Sequence, residues 1–203
     1  PAYIRSHGGR VGAIESGKVK IDVAFIGASS SDEYGNASGI NGKANCGVLS
    51  YAGVDAKFAD KVVVITDTIV PFPNYPHPIS CVDVDYVVEV DKIGDPSKIA
   101  SGAIRMTKDP RELKMAEYCA KVIANTEWFK DGFSFQTGAG GASLAAAVKI
   151  RPYLEKAGIK MGWAMGGITE PIVNLLRDGY VRYLADDQAF DIASVESVYK
   201  DPN

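Results

Sequence analysis

Apolar positions along this chain switch repeatedly between a two-residue alternation and a helical spacing, which predicts strands and helices taken in turn. Residues 20–27 alternate and then run fully apolar from Val23 to Ile26, as a strand entering a core does. Residues 41–58 carry Cys46, Leu49, Gly53 and Ala56 at helical spacing, and the many small residues imply a closely packed helix. Strands follow over residues 61–66 and 85–90, separated by Pro71, Pro73, Pro76 and Pro78, which forbid a regular helix or a central strand. Asp109-Pro110-Arg111-Glu112 reads as a helix start, with Asp109 as cap, Pro110 in the first helical position and Glu112 placed to close a capping box. Leu113, Ala116, Ala120 and Ile123 make its buried stripe.

The second half repeats one arrangement. Phe133 and Phe135 alternate with Ser134 and Gln136, a glycine-rich turn follows through Gly141, and Leu144, Ala145, Ala147 and Val148 open a helix. Pro152 should kink or restart that helix and Gly158 end it. A strand over residues 159–165 then runs into Gly166-Gly167-Ile168-Thr169-Glu170-Pro171, a second glycine turn opening a helix that stops at Gly179. This alternation is that of an α/β fold with an open, mainly parallel sheet and flanking helices.

The central turn, Gln136-Thr137-Gly138-Ala139-Gly140-Gly141-Ala142-Ser143, is the strongest chemical signal. Its glycines permit positive φ and close backbone approach, and the new helix offers unpaired N–H groups at a positive dipole end. Such a turn attracts negative charge. The turn holds no Lys before Lys149, so it is no Walker loop, and Ser143 stands where a dinucleotide fingerprint has its third glycine. An anion site without a built-in cation remains, open to a phosphate contact or to the oxyanion of an acyl group. A tight packing turn without a ligand is the other reading.

Composition narrows the setting. The 203 residues, 46% hydrophobic, suit one domain, and a formal charge of −3 without a Lys/Arg run argues against nucleic acid. No apolar run has the length of a membrane span. Cys46, Cys81 and Cys119 are an odd, scattered set that suggests neither disulfides nor zinc, and a reducing cytoplasm fits them. The start at Pro1 and the end soon after a fresh apolar pattern read as an excised section of a longer chain.

Other loops carry polar candidates. His7, in Arg5-Ser6-His7-Gly8-Gly9-Arg10, reads either as a donor or base beside an anionic ligand, aided by Arg5 or Arg10, or as a surface turn histidine. No metal role suits it, because His77 is the only other histidine. Asp32 and Glu33 lie in a Ser-rich loop at a strand's carboxyl end, where a turn-forming role is expected of at least one. Asp67 occupies the same kind of position, with a strand cap as its simpler role.

These loops resemble the coenzyme A transferase superfamily, and within it the citrate lyase α-chain family. The resemblance rests on Ser6-His7-Gly8-Gly9-Arg10, Ala13-Ile14-Glu15-Ser16-Gly17, Asp32-Glu33-Tyr34-Gly35-Asn36, Val54-Asp55-Ala56-Lys57, Ile65-Thr66-Asp67-Thr68, Asp109-Pro110-Arg111-Glu112-Leu113 and the central turn through Ala145. It spans nearly the whole chain, as the middle section of a longer two-domain protein. It implies a coenzyme A transferase-like Rossmann-type domain and an enzyme of the coenzyme A transferase kind. The central turn would lie against a reacting thioester, with Gly140, Gly141 and Ala142 as the oxyanion cradle. His7, Arg10, Asn36, Gly138, Ala139, Gly166 and Gly167 would contact the substrate or its coenzyme A-like arm, with no metal.

Relatives that form an enzyme-bound thioester place a nucleophilic Glu at what aligns with Gly166 or Gly167, and this sequence has none there. Glu170 is the nearest carboxylate and suits a helix first turn. The departure agrees with direct transfer, in which citrate attacks the acetyl thioester and the released thiolate opens the mixed anhydride. The resemblance further implies no tightly bound cofactor, with acyl-CoA or the CoA-like group of an acyl carrier protein as substrate. It implies an oligomer with acyl carrier (γ) and lyase (β) subunits, and neither nucleic-acid nor membrane partners. A sugar-phosphate isomerase using Asp67 or Glu33 as base, or a non-catalytic acyl-CoA- or carrier-binding domain, are the alternatives.

Overall fold

The computed structural model describes residues 3–99 and 105–201. They fall into two compact units, Pro1–Pro96 and Ser97–Asn203.

The first unit opens with α1 (His7–Glu15), capped by Ser6, whose hydroxyl accepts the Gly9 N–H at 3.0 Å. The expected glycine turn is therefore the helix's own first turn, and Gly17, at φ +71°, ends it. Next come β1 (Val23–Gly27), the short hairpin strands β2 (Ser30–Ser31) and β3 (Ala37–Ser38), α2 (Tyr51–Phe58), β4 (Lys61–Thr66) and β5 (Tyr86–Glu89). The sheet runs β1-β4-β5, all parallel, with Val23 beside Lys61 and Val63 beside Tyr86. Ala24, Ile26, Val62 and Val64 face a core closed by Leu49 and Ala56, while Phe25 and Tyr86 stand exposed on the other face.

The helix expected over residues 41–58 forms only over its last eight residues. Asn41, Gly47 and Ser50 have positive φ, which breaks helical continuity. A Cβ at Gly39 or Gly42 would overlap the carbonyls of Gly47 or Ser29, so these glycines serve a close backbone crossing and not a helix face.

The second unit is a consecutive β-α series: α3 (Pro110–Ala124), β6 (Ser134–Phe135), α4 (Gly141–Lys149), α5 (Arg151–Ala157), β7 (Met161–Ile168), α6 (Glu170–Arg177), β8 (Val181–Ala189) and α7 (Ile192–Lys200). Its sheet, β6-β7-β8, is again parallel. Phe135, Ala147, Ile150, Leu154, Ala164, Ile168, Val173 and Val181 share one core. Trp163 lies over Tyr183 at 5.0 Å on the sheet's exposed face. Asp109 caps α3 through the Arg111 N–H, but the Thr107 hydroxyl takes the Asp109 N–H, the bond foreseen for Glu112. Pro152 restarts the helix as α5, and Gly158, at φ +64°, ends it.

Two elements differ from the sequence expectation. Gly166 and Gly167 form no turn: β7 continues to Ile168 through a bulge against β8. β8 and α7 have no counterpart in the periodicity reading, because Val181–Ala189 holds charged and polar residues through most of its length.

Candidate functional site

In a parallel sheet every strand's carboxyl end lies at one edge, where open α/β folds keep their ligands. In the second unit that edge gathers the turn after β6, the bulged end of β7 and the Asp186–Asp191 end of β8.

The turn delivers residues 136–140 into α4, with Gly140 as N-cap at φ −72° and ψ 152°. Gly140 has no side chain to cap with, and the Gly141, Ala142 and Ser143 N–H groups have no partner among the described residues. The contrast with neighbouring helices is sharp. Asp191 caps α7 through Ser194, and its other oxygen takes the Glu170 N–H of α6 at 2.6 Å. The start of α6 is thus occupied by a carboxylate of the chain itself, while that of α4 is open. Of the two glycine motifs, only the first presents a free anion cradle.

None of Gly138, Gly140 and Gly141 has positive φ, contrary to one reason given for their presence. Close approach explains Gly141: a Cβ there would sit 3.0 Å from the Arg105 carbonyl oxygen and the Thr107 nitrogen. Gly140 faces open space and leaves the mouth of the cradle clear. The same crossing brings the backbone of cationic Arg105 against the turn, a neighbour 36 residues away that the local sequence could not show.

At the aligned nucleophile positions the structure has no room for a side chain. Gly166 is at φ +107°, and a Cβ there would meet the Gln136 amide nitrogen at 2.8 Å. A Cβ on Gly167 would fall inside the Phe190 ring. Glu170 begins α6, in the first-turn place expected of it.

The sequence reading missed Asp186. Paired with Gly166 across the β7–β8 ladder, it accepts the Ile168 and Gln188 N–H groups through Oδ1, at 3.2 and 2.9 Å. Its Oδ2 is buried without a partner. Burial pushes its pKa up to about 6 against the pull of those two N–H groups, and Asp187 and Asp191 add to the rise. The hydroxyl of Thr169, a residue 2% exposed, is also buried and unpartnered. The spacing Asp191-Ile192-Ala193-Ser194, a capping pattern after a half-polar run, was the available signal for β8 and α7.

His7, Arg10 and Asn36 belong to the first unit. His7 stacks on Tyr51 at 5.4 Å, and Arg10 lies over the same ring at 5.7 Å. Arg10 donates through Nη2 to both Asp55 oxygens, at 2.7 and 2.8 Å, while its Nη1 is buried without a partner. The pair lines a cleft of about 460 Å³ along β1. Asn36, expected to touch substrate, is instead 3% exposed and built into a loop. Its amide donates to Asp32 at 2.7 Å and its oxygen accepts the Cys81 N–H. Asp32 itself takes five hydrogen bonds, from the Tyr34, Gly35, Asn36 and Asn74 N–H groups and the Asn36 amide. Burial raises its pKa, but those bonds outweigh it and the carboxyl sits below the usual value. Asp67 is equally engaged, by Thr68 and the Ile93 N–H. Asp32 and Asp67 are structural carboxylates.

Fold and open cradle together define a coenzyme A transferase-like α/β protein. A solved 4-hydroxybutyrate CoA-transferase from Porphyromonas gingivalis shares the fold, at a TM-score of 0.62 and 20% identity over 100% of this chain and 48% of that one. The family model for citrate lyase, alpha subunit, matches residues 1–203, and the chain belongs to that family. It is 48% identical to the citrate lyase alpha chain of Haemophilus influenzae over its whole length, and spans 41% of that relative. A crystal structure of a citrate lyase alpha subunit from Streptococcus mutans, in complex with citrate, superposes at a TM-score of 0.93 with 55% identity. The match covers 98% of this chain and 39% of that one.

Proposed function

We propose that the chain carries the acyl-exchange site of a citrate lyase alpha subunit, converting acetyl-carrier thioester and citrate to citryl-carrier thioester and acetate. The observation that carries this reading is the uncapped start of α4, three N–H groups open at the carboxyl edge of a parallel sheet. A citrate carboxylate oxygen attacks the acetyl carbonyl, and the Gly141 and Ala142 N–H groups hold the resulting oxyanion. Collapse breaks the C–S bond, leaving a thiolate and an acetyl-citryl anhydride. The thiolate sulfur then attacks the citryl carbonyl, and breaking that C–O bond releases acetate.

The chain's part is to position two anionic reactants and stabilise two tetrahedral intermediates. Support for a direct route comes from Gly166 and Gly167, which offer no nucleophile. In this reading Gly138 and Ala139 border the thioester arm. Acyl carrier and lyase subunits are the partners in a cytoplasmic oligomer, and the thioester arm is a substrate, so no resident cofactor is needed. The isomerase alternative loses Asp67 as its base, since both carboxylate oxygens are engaged.

The test is mass spectrometry of an acetylated acyl carrier mixed with citrate and the complete polypeptide. Replacement of acetyl by citryl is expected. An unchanged carrier refutes the assignment.

A further inference from the structure

One group beside the cradle is unused by this mechanism. Asp186 sits at the β7–β8 bulge, tied through Oδ1 to the Ile168 and Gln188 N–H groups, with Oδ2 enclosed and unpartnered. A buried anionic oxygen without a donor is costly, whereas a neutral carboxylic acid suits such a place. The charged groups acting on it, Asp187 and Asp191, are both anionic, and Glu170 opens the helix after Ile168. Gln136, over the ladder partner Gly166, and Thr169, which follows Ile168, are neutral.

Asp186 and the turn share the carboxyl edge of one parallel sheet. Gly166, its ladder partner, lies under the Gln136 side chain, and Gln136 is the first residue of the turn. A negative charge bound at that edge favours the neutral form of the carboxyl.

We propose that Asp186 is the proton-linked positioning residue of the transfer site: it takes up one proton from solvent when a carboxylate acceptor occupies the cradle. As a neutral acid it keeps the Gly166–Ile168 backbone in place without adding a negative charge beside the anionic substrate. This inference rests on the acyl-exchange reading above.

A unit charge roughly 10 Å away, at an effective dielectric of about 20, moves a titration up by about one pH unit. From about 6 in the free protein, the titration of the carboxyl moves up on binding by about that amount. At pH 7 binding draws in about 0.4 proton, and citrate affinity falls about fivefold from pH 6 to pH 8 through this group alone.

Titration calorimetry of citrate binding to the complete polypeptide, in buffers of differing ionisation enthalpy, reads this uptake. Citrate's own titration is removed by comparison with Asp186→Asn, whose amide keeps the acceptor for Ile168 and Gln188 and cannot ionise. The wild type is expected to take up about 0.4 proton more than the variant at pH 7, and to show the extra fivefold loss of affinity. Equal uptake in the two proteins overturns the proposal and leaves the acyl-exchange reading standing. Absence of citrate binding in the wild type overturns both. Should Asp186→Asn misfold, wild-type uptake no greater than citrate's own proton release predicts overturns the proposal by itself.

Discussion

Ala142→Pro isolates the oxyanion cradle. Ala142 holds the second helical position of α4, where its N–H has no partner, so proline there deletes one donor and breaks no bond within the chain. The fold already accepts this placement: Pro152 and Pro171 stand second in α5 and α6. The restriction that proline imposes on its predecessor falls on Gly141, the residue type that bears it best. Stability should change by about 1 kcal/mol or less. Transfer should fall ~10²- to 10³-fold, the usual loss for one oxyanion donor, or about 2.7–4 kcal/mol of transition-state stabilisation. Single-turnover formation of citryl carrier in the complete polypeptide gives the rate, with thermal melting alongside. Ala142→Ser, which keeps the N–H, should stay within severalfold of wild type. A proline variant that melts normally and transfers within threefold of wild type refutes the role of this N–H.

Three further outcomes follow from the same geometry. Gly140→Asp should raise stability by a few tenths of a kcal/mol, because a carboxylate at the N-cap satisfies the open N–H groups, and should depress transfer by filling the anion site; melting and exchange assays must move in opposite directions. Gly167→Ala should destabilise the second unit by about 1–3 kcal/mol through overlap with Phe190. Adding Phe190→Ala should recover part of that loss, read as coupling in a double-mutant cycle. Asp32→Ala should cost about 3 kcal/mol or more, since it strands the Tyr34, Asn36 and Asn74 N–H groups and the Asn36 amide. Because the folded carboxyl of Asp32 titrates below its ordinary value, its stabilisation is full above about pH 5 and is lost as pH falls through the folded value. Acid melting of the wild type should show that loss, and the variant should lack it.

Elements with local chemical cause were legible in the sequence. Asp109-Pro110 started α3, Gly17, Gly158 and Gly179 ended helices in left-handed backbone, and β4 fell on its predicted residues. What failed was set by partners distant in sequence. Residues 41–50 follow helical spacing, but Gly42 crosses the Ser29 backbone too closely and Asn41, Gly47 and Ser50 have positive φ. The Gly166–Gly167 pair looked like a turn because its pairing with β8 depends on a strand too polar to be recognised alone. The glycine turn opens a helix where expected, although its glycines serve close packing and open space and not positive φ. Asp186 was invisible for a related reason: the bonds it accepts from Ile168 and Gln188 and its enclosed Oδ2 arise from the pairing of β7 with β8.

The central claim is that acyl transfer passes directly between substrates. A single turnover with citrate carrying heavy oxygen in its carboxylates tests it, because the oxygen that attacks acetyl leaves as part of the acetate. Direct transfer places one heavy oxygen in the released acetate and none on the protein. Unlabelled acetate in that first turnover, with heavy oxygen appearing on a protein carboxylate, would contradict the account and require an acylated side chain.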